Sequence, residues 1–236
     1  MRLVQVPTTL LAQVESAIGG KTAVNHPLAK NAIGAYHQPR LVLAEQAFLS
    51  TLSRREILCG LGEIVKYAMF EERVLSALER TIDRIVAGNP EATGRIVALC
   101  NAVKARLIQS DEREEMPGGG RAVLNLGHTI GHALEDLSHY RLRHGEAVIV
   151  GLRWELVIAA NAGVLPWREA ERYARLLNRI PYRPALRGIP ARRLLTKVTA
   201  HAAAAGLVLP GEGRSVVVTR KVPPALIRSV IEAFLP

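Results

Sequence analysis

The sequence predicts a mainly α-helical fold with a small α/β remnant at its start, and three observations carry that expectation. From Ser53 onward, apolar residues recur at the α period in segment after segment. Residues 1–50 instead hold short strand-like runs broken by glycine and proline. At 236 residues, 49% apolar and 22% charged, the chain can bury a sizeable core, as one large domain or two smaller ones, and its composition is not that of a disordered segment. The change of texture divides the chain into 1–50, the α/β remnant, and 51–236, the helical domain.

Taken in order, Leu3-Val4-Gln5-Val6 reads as a strand ended by Pro7. Thr8 or Thr9 then caps a brief helix through Ala17, which Gly19-Gly20 stops. Arg40-Leu41-Val42-Leu43-Ala44 reads as a second strand. A chain that opens abruptly on a strand resembles the tail of an α/β unit. Ser53 and Glu56 form a capping box, and Ile57, Leu58, Leu61, Ile64, Val65, Ala68 and Met69 make one apolar stripe behind it. Further helices are expected at about 73–87, 91–113, 127–139, 145–162, 167–178 and 191–204, by the same period. Ser215–Thr219 reads as a late strand and 223–234 as a terminal helix. Met116-Pro117-Gly118-Gly119-Gly120 is a loop.

Composition narrows the function. The net charge of +10 suits anionic small molecules or nucleic acid. No basic block is interleaved with aromatics, and Phe, Tyr and Trp number only three, five and two, which argues against a nucleic-acid partner. Cys59 and Cys100 fall at helical phase among apolar residues and read as buried free thiols, which fits a reducing cytosol. Met1–Pro7 has no long apolar core or small-residue cleavage site, and no apolar run is long enough to cross a bilayer. A cytoplasmic protein with no membrane partner is expected.

Chemistry concentrates in Asn125-Leu126-Gly127-His128-Thr129-Ile130-Gly131-His132 and Arg143-His144-Gly145-Glu146-Ala147. Histidines four apart share one helix face, a third follows a short loop, and Glu63 lies upstream in an apolar helix. Three such side chains can hold a Zn²⁺-like ion and leave a coordination position open, the pattern of a catalytic metal. On spacing alone, whether His128, His132 or both bind the ion stays open. His26, His37, His139 and His201 lack such company and read as structural. Glu63 and Lys66 lie off the apolar stripe, so taken alone they read as a solvated face with a weak ion pair. Gly60 and Gly62 in the same turns, each costing about 1 kcal/mol of helix propensity, argue instead that something approaches this backbone closely. Gly19-Gly20-Lys21-Thr22 resembles the end of a P-loop, but Glu15 stands where glycine would be required and Pro27 forbids a long helix afterwards. What survives is a glycine turn presenting Lys21, with Lys30-Asn31 soon after, suited to an anionic substrate or phosphate. Gly118-Gly119-Gly120 follows a charged helical end and is not a dinucleotide fingerprint.

In this order the pieces resemble the 3-dehydroquinate synthase family of sugar phosphate cyclases. The resemblance runs from Val6-Pro7-Thr8-Thr9-Leu10-Leu11-Ala12-Gln13-Val14 and Ile18–Thr22 through Lys30–Ala35, Gln38-Pro39, Gly62–Tyr67 and Asp111–Glu114 to both histidine motifs, covering about residues 3–165. It implies a C-terminal helical metal-binding domain of a dehydroquinate-synthase-like fold. A divalent metal, zinc or cobalt, is implied on Glu63, His128 and His144, with His132 on the substrate side. Lys21, Lys66, Arg121 and Asn125 are implied as catalytic substrate-binding residues, joined by Lys30 and Asn31. NAD contacts are implied at Thr8, Thr9, Lys21, Lys30 and the segment Phe48, Leu49, Ser50 and Thr51.

The implied reaction is that of a carbon–oxygen lyase of the shikimate pathway, cyclising 3-deoxy-D-arabino-heptulosonate 7-phosphate to 3-dehydroquinate with loss of phosphate. Three departures from the family pattern qualify it. The glycine turn of the N-terminal NAD lobe is missing, so the chain alone is expected to turn over poorly, and a homodimer or a chain supplying that lobe is the expected partner. Glu15 replaces the usual aspartate. His201–Gly206 stands where an Asp-Lys-Lys cluster is usual. The alternatives are another sugar phosphate cyclase, making a cyclitol or an amino-dehydroquinate, and a non-catalytic remnant that binds a partner chain.

Overall fold

The computed structural model describes residues 1–26, 29–112 and 120–235, with side chains throughout except at 25, 26 and 29–32. Eight α-helices dominate the described residues: α1 (Arg54–Ala68), α2 (Glu72–Val86), α3 (Pro90–Ser110), α4 (His128–Leu137), α5 (His144–Asn161), α6 (Trp167–Asn178), α7 (Ala191–Ala204) and α8 (Pro224–Phe234). Three two-stranded sheets accompany them. β1 (Val4–Gln5) pairs in parallel with β4 (Leu41–Val42), β2 (Lys21–His26) pairs antiparallel with β3 (Ala29–Tyr36), and β5 (Leu207–Pro210) pairs antiparallel with β6 (Val216–Thr219). The mainly helical expectation holds.

The helix period located the helices because each buries one stripe. In α1, Ser53 Oγ accepts from the Glu56 amide at 3.4 Å, as the capping signal requires, but the Glu56 carboxylate pairs with Arg143 rather than turning back on the cap. Thr9 Oγ1 accepts from the Ala12 amide at 3.2 Å and caps the short turn that continues as a π-helical segment, Ala12–Ser16. Two features differ from expectation. Lys21 opens a strand of the β2–β3 hairpin and is not held on a bare turn, and β5 precedes the expected late strand. Both segments pair with strands whose contribution is not readable from a local window.

The core is organised around α5, which is apolar nearly all round. Ile149, Leu152, Trp154, Leu156 and Ile158 are all buried against α1, α4, α6, α8 and β5. Both cysteines are buried, as expected. Glycine sets how closely the helices approach. A Cβ on Gly62 would strike the Gly145 carbonyl, and a Cβ on Gly145 would strike the Cys59 carbonyl, so α1 and α5 cross backbone to backbone. A Cβ on Gly151 would likewise strike the Gly127 carbonyl, seating α4 on α5. This is the close approach that the glycines of α1 signalled. Arg55 locks the crossing by a two-pronged ion pair to Glu146, at 2.6 and 2.7 Å, and Glu146 Oε2 accepts from the Arg143 amide at 2.9 Å.

Gly145→Ala should therefore destabilise the fold by about 2 kcal/mol or more, because neither backbone can yield. Urea denaturation checks this, and an unchanged midpoint would refute the crossing.

Candidate active site

The crossing delivers three side chains to one point. Glu63 projects from the middle of α1, His128 is the first residue of α4, and His144 is the first residue of α5. Glu63 Oε1 lies 2.9 Å from His144 Nε2 and 3.5 Å from His128 Nε2. One ligand-type atom from each of the three lies within 4.8 Å of the others, so they could hold one metal ion. His128 Nδ1 meets the Leu126 carbonyl at 2.8 Å, and His144 Nδ1 meets Glu135 Oε2 at 3.2 Å. Both rings thus turn Nε2 toward Glu63. His132 belongs to a different group, with its Nε2 3.9 Å from Glu135 Oε2 and its side chain half exposed. It is His128, not His132, that shares a point with Glu63 and His144.

Glu63 and Lys66 are fully buried, which corrects the solvated-face reading. The α1 face lying off its apolar stripe packs against a second polar layer. Lys66 Nζ is 2.5 Å from Glu63 Oε2 and 3.3 Å from Glu15 Oε2. Lys104 Nζ reaches Glu15 Oε1 at 2.6 Å and also the Glu15 carbonyl, while Tyr67 donates its hydroxyl to Glu15 Oε2 at 2.6 Å. Burial alone would raise the Glu63 pKa, but Lys66, His128 and His144 hold it well below the usual carboxylate range. Burial opposes the charge on Lys66 too, and the carboxylates of Glu15 and Glu63 outweigh it and raise its pKa. The longer side chain at Glu15 is compatible with bridging both lysines.

The remaining expected residues separate by location. Arg121 is buried; its Nη1 donates to the Glu112 carbonyl at 2.9 Å, and its Nε has no hydrogen-bond partner among the described residues. Lys21 is nearby in charge terms: its pKa is lowered, first by burial and then by Arg121. Asn125 is exposed at the end of a 3₁₀ turn, Gly120–Asn125. The side chains of Lys30 and Asn31 lie outside the described residues. Thr8, Phe48, Ser50 and Thr51 are exposed, Thr9 is half-buried, and Leu49 points into the core. Buried Gln13 joins these two stretches, donating to the Pro7 carbonyl at 3.2 Å and the Glu45 carbonyl at 2.8 Å.

Sequence reasoning missed Glu135, Lys104, Gln13 and Glu155. Glu135 had a signal, being three residues after His132 and seven after His128 on one face of α4. Lys104 had one as well, a lone charge at a core position of α3. Glu155 accepts from the Gly127 amide at 2.5 Å from the centre of α5, and burial raises its pKa well above the carboxylate range. Its one signal was its place as a lone acid in the apolar run Trp154–Ala160 of α5.

The family model described as 3-dehydroquinate synthase C-terminal matches residues 60–201, and the one described as 3-dehydroquinate synthase N-terminal matches residues 1–59. The chain belongs to the 3-dehydroquinate synthase family. The 3-dehydroquinate synthase of Nostoc punctiforme is 42% identical over 99% of this chain and 66% of its own length. That of Pelotomaculum thermopropionicum is 48% identical over 74% of this chain and 47% of its own. The chain thus spans about half to two thirds of the length of these relatives. Among solved structures, 2-epi-5-epi-valiolone synthase from Streptomyces hygroscopicus with NAD⁺ and Zn²⁺ bound superposes with a TM-score of 0.86 at 25% identity, over 98% of this chain and 66% of that one. 2-Deoxy-scyllo-inosose synthase complexed with carbaglucose-6-phosphate, NAD⁺ and Co²⁺ superposes at 0.75 and 25% identity, over 99% and 66%. These solved structures share its fold.

The two ring protonation states predict how an ion would bind. Burial pushes His128 down to about 4, so it is neutral at pH 7. Burial opposes charge on His144 as well, but hydrogen bonds to Glu135 and Glu63 outweigh it and push His144 up to about 9. A divalent ion at His144 Nε2 must displace that proton. Apparent Zn²⁺ affinity, measured by chelator competition, should therefore rise about tenfold per pH unit from neutrality to about pH 9 and then level off. A flat profile would contradict it.

Proposed function

We propose that this chain carries the metal- and substrate-binding part of a 3-dehydroquinate synthase, acting on 3-deoxy-D-arabino-heptulosonate 7-phosphate in the shikimate pathway. The observation that carries the reading is that a single buried carboxylate, Glu63, faces two imidazole Nε2 atoms on one oxygen and Lys66 on the other. Glu63, His128 and His144 would hold a divalent metal, zinc or cobalt, and their two-nitrogen, one-oxygen donor set fits either ion. Bound there, the metal supplies Lewis acidity that lowers the cost of forming an alkoxide on the sugar.

This chain's own residues do the rest. Lys21, Lys66 and Arg121 would supply the positive charge that suits a substrate carboxylate and phosphate, and the Nε of buried Arg121, which has no hydrogen-bond partner among the described residues, would suit an incoming anion. Asn125, Lys30 and Asn31 complete the substrate set. His132, half exposed beside Glu135, would take and return a proton for the substrate. The turn at Thr8-Thr9 and the exposed positions of Phe48–Thr51, adjacent through Gln13, would contact NAD, which carries the redox step. Leu49 could contribute only through its backbone, since its side chain is buried. Residues 1–50 belong to the NAD-binding lobe and 51–236 to the metal and substrate domain, with further NAD contacts supplied by a homodimer partner or another chain. No helix among the described residues is long and apolar enough to cross a membrane, and we place the protein in the cytoplasm.

The solved relatives that superpose on this chain support a second reading, a cyclase making a cyclitol from a related sugar phosphate. The higher identity to 3-dehydroquinate synthases favours the first. Phosphate release from the seven-carbon substrate, dependent on both NAD and metal and measured with a chain supplying NAD contacts present, tests it. Its absence, with turnover of a hexose or different heptulose phosphate instead, would move the reading to the second. His132→Ala should lower kcat by about 10²–10⁴-fold while metal stoichiometry stays at one per chain.

A further inference from the structure

We propose that Glu135 is the positioning residue of this site, fixing His144 so that its Nε2, and not its Nδ1, is offered to the metal. The inference rests on the reading of Glu63, His128 and His144 as a metal site. Glu135 is 5% exposed in the last turns of α4, on the face that also carries His128 and His132. Its Oε2 lies 3.2 Å from His144 Nδ1, whose ring turns its other nitrogen to Glu63 at 2.9 Å. An imidazole has only two nitrogens. Donating Nδ1–H to Glu135 leaves the Nε2 lone pair for an ion, and a charged acceptor makes that lone pair more basic. His128 is held the same way by the Leu126 carbonyl at 2.8 Å, but that acceptor is neutral and belongs to its own turn. Glu135 is charged and reaches from α4 to α5, so it also ties the end of α4 to the start of α5.

A competing arrangement exists. His132, Glu135 and His144 also bring ligand-type atoms within 4.8 Å of one another. It would need His144 Nδ1 as the lone-pair nitrogen, leaving the proton on Nε2 and dismantling the group around Glu63. The two groups share His144 and exclude each other. The Glu63 group prevails because Glu63 is fully buried and the His128 ring is already oriented, whereas the His132 side chain is 49% exposed.

The test uses the whole chain loaded with Zn²⁺ or Co²⁺. Wild type should bind one ion, and Glu135→Leu should weaken that binding about 10–100-fold, with a changed Co²⁺ visible spectrum. Glu135→Gln, nearly isosteric and still an acceptor, should recover most of the affinity while moving the His144 Nδ1–H proton resonance upfield. If the leucine variant fails to fold, the glutamine variant carries the test alone, and an unmoved resonance overturns the proposal. Equal affinity and an identical spectrum in the leucine variant also overturn it. So does a second ion per chain that disappears in Glu135→Gln. A wild-type protein that binds no ion, indistinguishable from Glu63→Gln, would instead defeat the underlying metal-site reading.

Discussion

Gly62 and Gly145 leave no side chain between α1 and α5, and the backbones of the two helices therefore meet. At ordinary helix separations of about 8–10 Å, a carboxylate from the middle of one helix and a histidine at the start of another would need long, mobile side chains to touch. With the gap closed, short ones suffice, and Glu63 and His144 come within hydrogen-bond distance in the dry interior. Gly151 does the same for α4 and brings in His128. The glycines lower the intrinsic helix propensity of these segments. The surrounding apolar packing of α5 has to offset that loss, and its nearly complete burial shows where the compensation comes from.

Burying this much charge is tolerable only because it is paired. Glu15 and Glu63 face Lys66 and Lys104, and His144 stands between two carboxylates. Each partner has more than one contact, so the network resists rearrangement but fails if one member is lost, since breaking a buried pair typically costs about 3–5 kcal/mol. The cluster also explains how one α1 face can hold both a ligand and a cation. Glu63 divides its oxygens, one toward the imidazoles and one toward Lys66, and the acidic side chain is thereby kept ionised in a place where water is scarce.

The helices were legible because each buries a stripe at the α period, and α6 and α7 begin and end at the expected residues. The histidine motifs were legible because glycine beside histidine in a helix start is costly without a reason. The β2–β3 hairpin was not, since its strands hold glycine, lysine and asparagine and depend on pairing across the turn. The burial of Glu63 and Lys66 was also hidden: in a one-dimensional pattern two charges off an apolar stripe look solvated, and only the packing of the Glu15 segment against α1 reverses this. Glu135 and Glu155 were overlooked for a related reason. An acidic residue in a helix defaults to the surface until a partner from another helix claims it.

Glu155 gives the interior a chemical ceiling. Burial raises its pKa well above the carboxylate range where it accepts from the Gly127 amide, whereas in the unfolded chain the same group ionises above about pH 4.5. Every step toward alkaline conditions therefore favours the unfolded chain, until the folded form too must release its proton. The turn that leads into His128 is thus tied to an acid whose burial, not its hydrogen bond to Gly127, makes the folded chain less tolerant of base.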